Sequence, residues 1–373
     1  MRRFFMGMLC LGLGMAVQAQ DEQKKTDQKK TEKKAPAATI KSRPEPTLKV
    51  GDAAPALQAT KWLQGAEVKS FEKGKVYVME FWATWCGPCI VMMPHLSELQ
   101  KEYADKGVTI VGFSAADPNN SQAKVEEFVG KRGAKLQYTF AFADNKTTYG
   151  DWMTAAGQNG IPCTFVIDKE GKIAYIGHPM YLDVVLPKVV AGKWDSKTDV
   201  EAIKEIEKEV GAVFQATSKP DAAAGLKVIA DFESKHPELS KIPYFVSPKI
   251  NMMLKTEQKT DAKAFADKVI ENAAKNDDAA MLGQVAAALT GPAAKKDPEL
   301  AKVGLAAVLK MGEIVGDKDL SGQVTLARVA FAAGEKAMAK KAAQNAVKVA
   351  PDDRTKEQVK KVLKAILEES STQ

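Results

Sequence analysis

Two cysteines separated by two residues, Cys86 and Cys89, have the clearest capacity for chemistry in this chain. Such a pair can close a disulfide within one helical turn and reopen it. A helix N-terminus presents unpaired N–H groups and a partial positive charge, so a thiol placed there ionises more readily. We therefore predict that Cys86 is a solvent-facing nucleophile. Cys89, one turn further in, would be the shielded resolving thiol.

The sequence around the pair predicts a strand, a short turn and a helix. An apolar run over residues 76–82 precedes the cysteines, and a helix-like stretch over residues 90–103 follows them. Gly87 permits a close approach of the backbone. Pro88 lies in the first helical turn, where a missing N–H group costs nothing. These elements would hold the cysteines at the N-terminus of the helix.

A zinc site is the structural alternative for a Cys-x-x-Cys pair. It needs four ligands, usually a second such pair or paired histidines. His95, His178 and His236 are scattered through the chain without that spacing. We therefore predict neither a metal nor an organic cofactor. His95 and His178 have no visible partner for acid–base work, so we interpret both as structural.

Length and charge limit the class of protein. A chain of 373 residues with 45% hydrophobic residues is long enough for two domains with cores of their own. The net charge of +7 comes from lysines interspersed with acids, which is typical of a solvated surface. We expect no binding of nucleic acid.

The first residues have the three parts of a secretory signal, with cleavage expected after Ala19. This predicts a periplasmic protein that loses Cys10 with the signal. No later segment reaches the roughly 18 apolar residues that a membrane span needs, so no transmembrane segment is expected in the mature chain. The three cysteines that remain are an odd number, which favours a redox role over a disulfide scaffold.

Composition divides the rest of the chain. Residues 20–46 are polar and charged and predict a disordered linker. Alternating strand and helix patterns over residues 47–194 include a β-α-β crossover and a hairpin, which predict an α/β domain. Residues 195–373 have helical spacing and predict an all-α domain. Its polar turn clusters recur about every 34 to 40 residues, so a tetratricopeptide-like helical-hairpin repeat and an irregular bundle both stay open. The clusters are His236-Pro237, Asn276-Asp277-Asp278, Gly316-Asp317 and Pro351-Asp352-Asp353.

Residues 47–194 resemble the thioredoxin superfamily, specifically the exported thiol-disulfide oxidoreductases of TlpA/ResA type. Three segments carry the resemblance: Phe81-Trp82-Ala83-Thr84-Trp85-Cys86-Gly87-Pro88-Cys89, Gly160-Ile161-Pro162 and Phe165-Val166-Ile167-Asp168. The resemblance implies a thioredoxin-like fold with a central mixed sheet flanked by helices. It also implies that Cys86 and Cys89 are the redox-active disulfide and that Pro162 is a cis-proline.

A cis X-Pro bond would leave backbone groups of the preceding residue free to pair with an extended substrate. We therefore expect Ile161 and Pro162 to contact the substrate beside the cysteines. Trp85, Gly87 and Pro88 would contribute to the same surface. From the residues alone, a trans proline at a strand start is an equal alternative.

Glu80 lies in an otherwise apolar strand, so its pKa should be raised. The resemblance implies a buried acid here that assists the resolving thiol, although many TlpA/ResA-type proteins have asparagine at this position. A polar residue satisfied by a neighbour is the alternative. Cys163 departs from the family pattern, and either an alternative disulfide with the active pair or a buried hydrophobic role fits it.

We therefore predict an enzyme that reduces protein disulfides through Cys86 and Cys89 and is re-reduced by a membrane electron donor, a thiol-disulfide transfer protein. A disulfide-forming oxidase is one alternative. Another is a binding protein whose helical domain recruits a protein partner while the thioredoxin-like part is a scaffold. A peroxidase is a third, because the segment Gly51–Pro55 resembles redoxin starts, but the peroxidatic Pro-x-x-x-Thr-x-x-Cys motif is missing.

Overall fold

A computed structural model describes residues 45–144 and 147–368 of the chain. The predicted signal peptide, residues 1–19, and the predicted linker as far as residue 44 lie outside the described residues. Within them, no helix combines the length and the apolar character that crossing a bilayer requires.

The predicted mixed sheet is confirmed. Its strands in the described part of the chain are β1 (Lys61–Gln64), β2 (Val76–Trp82), β3 (Val108–Ala115), β4 (Thr139–Ala143), β5 (Cys163–Ile167) and β6 (Ile173–Gly177). They are ordered β1-β4-β3-β2-β5-β6. Strands β2, β3 and β4 run parallel, whereas β1, β5 and β6 each pair antiparallel with a neighbour. Strand β2 is central, and each of its residues is buried.

Both faces of the sheet are covered. The helices of this part are α1 (Gly87–Tyr103), α2 (Gln122–Arg132), α3 (Thr147–Tyr149), which continues as a π-helix over Gly150–Thr154, and α4 (Leu182–Val190). Alternate residues of β2 point to opposite faces. Val78 and Trp82 pack in one apolar cluster with α1, α2 and α4. Met79 and Phe81 pack in a second cluster with the N-terminal segment and the π-helix.

The all-α prediction for the C-terminal part is also confirmed. Its helices in the described residues are α5 (Thr198–Thr217), α6 (Ala222–Lys235), α7 (Val246–Lys255), α8 (Lys259–Lys275), α9 (Ala279–Thr290), α10 (Pro298–Val315), α11 (Leu320–Ala332), α12 (Lys336–Val349), α13 (Asp353–Val362) and α14 (Lys364–Glu368). Each predicted turn cluster falls at a helix junction, and two helices lie between successive clusters. Two helices per unit is the arrangement that a helical-hairpin repeat requires. That these hairpins are of tetratricopeptide type stays a prediction.

The helices after residue 195, which we call the helical region, share a core with the sheet. Residues from Glu45 onward form one compact unit. The cluster that holds α1 continues through Ile203 of α5 and Ile229 and Phe232 of α6. Two further clusters lie within the helical region. The apolar core is therefore continuous across the predicted domain boundary at 194/195, and the boundary stays a prediction.

Candidate active site

Cys86 and Cys89 are joined by a disulfide at the start of α1. Cys86 is the N-cap residue, and its Sγ accepts a hydrogen bond from the Cys89 N–H at 3.2 Å. Gly87 begins the helix and Pro88 lies in its first turn, where the proline needs no hydrogen-bond acceptor. The partial positive charge of the helix N-terminus therefore acts on the Cys86 sulfur and favours its thiolate when the bond is open.

The expectation that Cys86 faces solvent is wrong for this oxidised form. Cys86 is 3% exposed and Cys89 is fully buried. Both belong to the apolar cluster between the sheet and α1, which shields them from water. The neighbouring Trp85 is 55% exposed and marks the open side of the pair.

A loop that follows β3 holds the turn before Cys86. The Trp85 indole N–H donates to the Asp117 carboxylate at 2.9 Å. Thr84 donates to the side-chain oxygen of Asn120 through its N–H and its hydroxyl, at 2.9 and 2.8 Å. Asn120 is buried and donates in turn to the Ala115 carbonyl. The anchoring role of Asn120 has no local signal in the sequence.

The Ile161–Pro162 peptide bond is cis. Pro162 is buried, Ile161 is half-buried, and the bond lies directly before β5. Cys163 of β5 pairs with Phe81 of β2. The sheet therefore brings this proline and the turn after β2, which carries the cysteines, to the same edge.

Glu80 lies on β2 between Gly112 of β3 and Thr164 of β5. It is fully buried, and neither carboxyl oxygen has a hydrogen-bond partner in the described part of the chain. Burial raises its pKa to about 8, in the predicted direction. Strand alternation puts Glu80 on the face of β2 that packs against Cys89. A carboxyl group that is neutral at pH 7 and beside a thiol can exchange a proton with it.

Two further hydroxyl groups surround Glu80. Those of Tyr138 and Thr164 are buried, and neither has a partner among the described residues. A side chain at Gly112 would meet the rings of Phe140 and Tyr138, at 3.0 and 3.1 Å from its Cβ. Gly112 thus leaves room for Tyr138 near Glu80. Burial and the Glu80 charge raise the pKa of Tyr138, so its hydroxyl stays protonated.

Cys163 is unpaired and buried. It packs with Phe81 in the cluster on the opposite face of the sheet from Cys86 and Cys89. Burial, with a contribution from Glu80, raises the pKa of its thiol to about 12. The structure therefore supports a buried hydrophobic role over an alternative disulfide with the active pair.

The interpretation of His95 as having no partner is wrong. Its Nε2 lies 2.7 Å from the Asp183 carboxylate of α4, 88 residues away in sequence. Burial lowers the pKa of His95, but hydrogen bonds to Asp183 and Glu98 outweigh it and raise the pKa to about 9. His95 is thus a charged link between α1 and α4. His178, by contrast, has no partner at Nε2 in the described residues, and burial lowers its pKa to about 4.

Comparisons with known proteins agree with this geometry. The Redoxin family model matches residues 49–180, which end before the helical region. Protein FixW of Rhizobium leguminosarum is 32% identical over 152 residues, which cover 40% of this chain and 69% of FixW. Thiol-disulfide oxidoreductase ResA of Bacillus anthracis is 33% identical over 127 residues, 34% of this chain and 68% of ResA.

Thiol:disulfide interchange protein HelX of Rhodobacter capsulatus is 34% identical over 151 residues, which cover 39% of this chain and 77% of HelX. These relatives match over more than two thirds of their own length. Their names agree with what the structure contains, a Cys-x-x-Cys disulfide at the start of a helix that packs on a mixed sheet. The chain therefore belongs to the thioredoxin-like thiol-disulfide oxidoreductases, the enzyme family of ResA and HelX.

Proposed function

We propose that this enzyme reduces disulfides in protein substrates through a Cys86–Cys89 dithiol. The observation that carries the proposal is the position of Cys86 as the N-cap of α1, with Cys89 within bonding distance of it. A thiolate at this end of a helix is stabilised, and its partner sulfur is close enough to resolve an adduct.

The reaction has two thiol-disulfide exchange steps. The Cys86 thiolate attacks one sulfur of the substrate disulfide, forms a mixed disulfide and releases the first substrate thiolate. The Cys89 thiolate then attacks the Cys86 sulfur, which closes the Cys86–Cys89 bond and releases the second substrate thiolate. The substrate gains two electrons and takes up two protons. The enzyme is left oxidised, as in this structure.

In this proposal, the ionised fraction of Glu80, which grows as pH approaches 8, accepts the proton of Cys89 when the mixed disulfide is resolved. Its burial and its raised pKa of about 8 support the assignment, because a base works best when its pKa is near the working pH. Thr164 pairs with Glu80 in the sheet register, and the charge of Glu80 acts on Tyr138.

The substrate would lie beside Trp85, Gly87 and Pro88 and pair with the backbone at Ile161 and Pro162. The exposure of Trp85 and Gly87 and the position of the 161–162 peptide at the same sheet edge support this surface. An extended polypeptide that pairs with the backbone at these two residues gains main-chain hydrogen bonds.

Export and the electron donor belong to the same proposal. The first 19 residues support secretion to the periplasm, because they have a basic start, an apolar stretch and a small-residue cleavage site. A reductase there consumes two electrons in each cycle, so we infer a membrane thiol-disulfide transfer protein as the donor. A protein partner for the helical region stays a secondary hypothesis.

Reduction of insulin disulfides by dithiothreitol tests the activity. We expect Cys86→Ser to abolish the catalysed rate and Cys163→Ala, a matched cysteine substitution on the other face of the sheet, to retain it. Equal rates for the wild type and Cys86→Ser would contradict the proposal and favour the scaffold hypothesis. The equilibrium of Cys86–Cys89 with glutathione tests the direction, because a strongly oxidising potential would indicate a disulfide-forming oxidase instead.

A further inference from the structure

We propose that Tyr244 of the helical region forms one wall of the substrate site and thereby restricts the enzyme to disulfides on extended, flexible polypeptide segments. The inference rests on the proposed function and adds a substrate class to it.

The register of the sheet defines three loops along the edge that holds the cysteines. The Cys86 turn follows β2, and the Ile161–Pro162 peptide precedes β5. The third loop begins at His178, directly after Gly177, which pairs with Thr164 near the start of β5. The proline loop therefore lies between the cysteine turn and the His178 loop.

Tyr244 connects the two outer loops. Its hydroxyl donates a hydrogen bond of 2.9 Å to the carbonyl of Pro88, which lies between the two cysteines. Its ring packs edge-on against the His178 ring, with centroids 5.6 Å apart and planes at 77°. A residue 156 positions away in sequence from Pro88 thus contacts the active-site turn directly.

The wall is fixed by its neighbours. Tyr244 lies in a short 3-10 turn, Pro243–Phe245, and both Ile242 and Phe245 are buried. The Phe245 ring packs against Phe214 of α5 and Phe232 of α6, at centroid distances of 5.3 and 5.5 Å. These contacts hold Tyr244 from both sides, so its position does not depend on its own hydrogen bond alone.

More distant contacts hold the helical region along the active-site helix. The side-chain amide of Asn276 donates to the Glu98 carboxylate of α1 at 2.7 Å. Lys135 pairs with Asp277 at 3.1 Å, in a partly exposed ion pair. The helical region therefore contacts α1 at Pro88 in its first turn and again at Glu98.

The open approach to Cys86 is consequently from the side of Trp85 and Gly87, both of which are exposed. Because Cys86 itself is only 3% exposed, the sulfur that it attacks must enter the site below the protein surface. A flexible segment can insert a disulfide there, whereas a compact domain would collide with the wall formed by Tyr244 and His178.

A matched pair of substrates tests this inference. One is a flexible peptide closed by a single disulfide, and the other is the same peptide grafted into a surface loop of a compact domain. For the wild type, we expect kcat/KM for the free peptide to exceed that for the graft by about tenfold or more. Tyr244→Ala should raise kcat/KM for the graft relative to that for the free peptide by about fivefold.

Three further variants make the result specific. Tyr244→Phe keeps the ring and should retain the wild-type ratio. His178→Ala widens the same wall from the other side and should act like Tyr244→Ala, which keeps the test valid if Tyr244→Ala does not fold. Asn276→Ala removes a contact away from the wall and should retain the wild-type ratio.

Equal rates of the wild type on both substrates would overturn the inference. So would an unchanged ratio in both Tyr244→Ala and His178→Ala, because a residue that only stabilises the fold would alter both substrates equally. If the wild type reduced neither substrate, the proposed reductase function itself would fail, and the substrate class with it.

Discussion

At the scale of single residues, the environment of Glu80 is the feature with the most measurable consequence. The carboxyl group is buried beside Thr164 and has no hydrogen-bond partner in the described residues. An ionised carboxylate in such a place is unfavourable, so the native protein holds its proton up to about pH 8. The protonation of Glu80 is therefore coupled to the stability of the fold.

We predict that Glu80→Gln is more stable than the wild type at pH 8 and differs less at pH 5. The unfolded Glu80 loses its proton near pH 4.5, whereas the native one loses it near pH 8. Between these values the native state binds more protons, so this group lowers wild-type stability as pH rises. The expected difference at pH 8 is on the order of a few kcal/mol.

Urea unfolding of both oxidised proteins at pH 5 and pH 8 measures this difference, in which the titration of all other groups cancels. A difference between the two proteins that is the same at both pH values would contradict a raised pKa for Glu80.

Some residue roles could be predicted from sequence because their signal is local. Cys86, Cys89 and Pro162 lie in short motifs, and Glu80 stands out within an apolar run. The partners of His95 and Asn120 could not be predicted, because Asp183 and Thr84 are 88 and 36 residues away. The prediction that Cys86 faces solvent was wrong for a related reason, since the packing that buries this residue comes from several separate elements.

At the scale of elements, strand β3 must pass close to Glu80 without a side chain of its own at Gly112. A methyl group there would meet the rings of Phe140 and Tyr138, both of which are buried and cannot move aside. Gly130 in α2 is a matched control, because nothing lies within 4 Å of an added methyl group there.

We predict that Gly112→Ala destabilises the protein by about 1–3 kcal/mol, because it overpacks a dense core. Gly130→Ala in an exposed helix interior should instead stabilise it by about 0.5–1 kcal/mol. Urea unfolding at one pH compares the two. Equal effects of the two substitutions would show that the space beside Glu80 can hold an added methyl group.

The elements themselves were largely predictable from hydrophobic periodicity and turn residues. The predicted run over residues 76–82 became β2, and the predicted turn clusters fall at helix junctions. Periodicity indicates that a helix has an apolar face but not which surface covers it. The packing of α5 and α6 against the sheet cluster was therefore outside what the pattern could predict.

At the scale of the whole molecule, the sheet and the first helices of the helical region share one apolar cluster. Phe232 of α6 belongs to the same cluster as Cys86 and Val166, whereas Leu363 belongs to a separate cluster around α12 to α14. Loss of packing in α6 should therefore destabilise the sheet.

We predict that Phe232→Ala accelerates alkylation of the buried Cys163 thiol about a hundredfold or more, because removing a buried phenylalanine destabilises a core by about 3–5 kcal/mol. Leu363→Ala should have a much smaller effect. Mass spectrometry of alkylated, oxidised protein in a Cys10→Ser background measures the rate. Equal rates for Phe232→Ala and the wild type would indicate that the two parts unfold independently.

Trapping of a mixed disulfide tests whether Cys86 is the nucleophile of this enzyme. In Cys89→Ala the resolving thiol is absent, so a reduced Cys86 that attacks a protein disulfide should remain bonded to its substrate. Mass spectrometry after incubation with an oxidised, flexible peptide should find that peptide on Cys86, and the Cys86→Ala/Cys89→Ala double variant should find none. An adduct on Cys163, or no adduct on Cys86, would contradict a nucleophile at the start of α1.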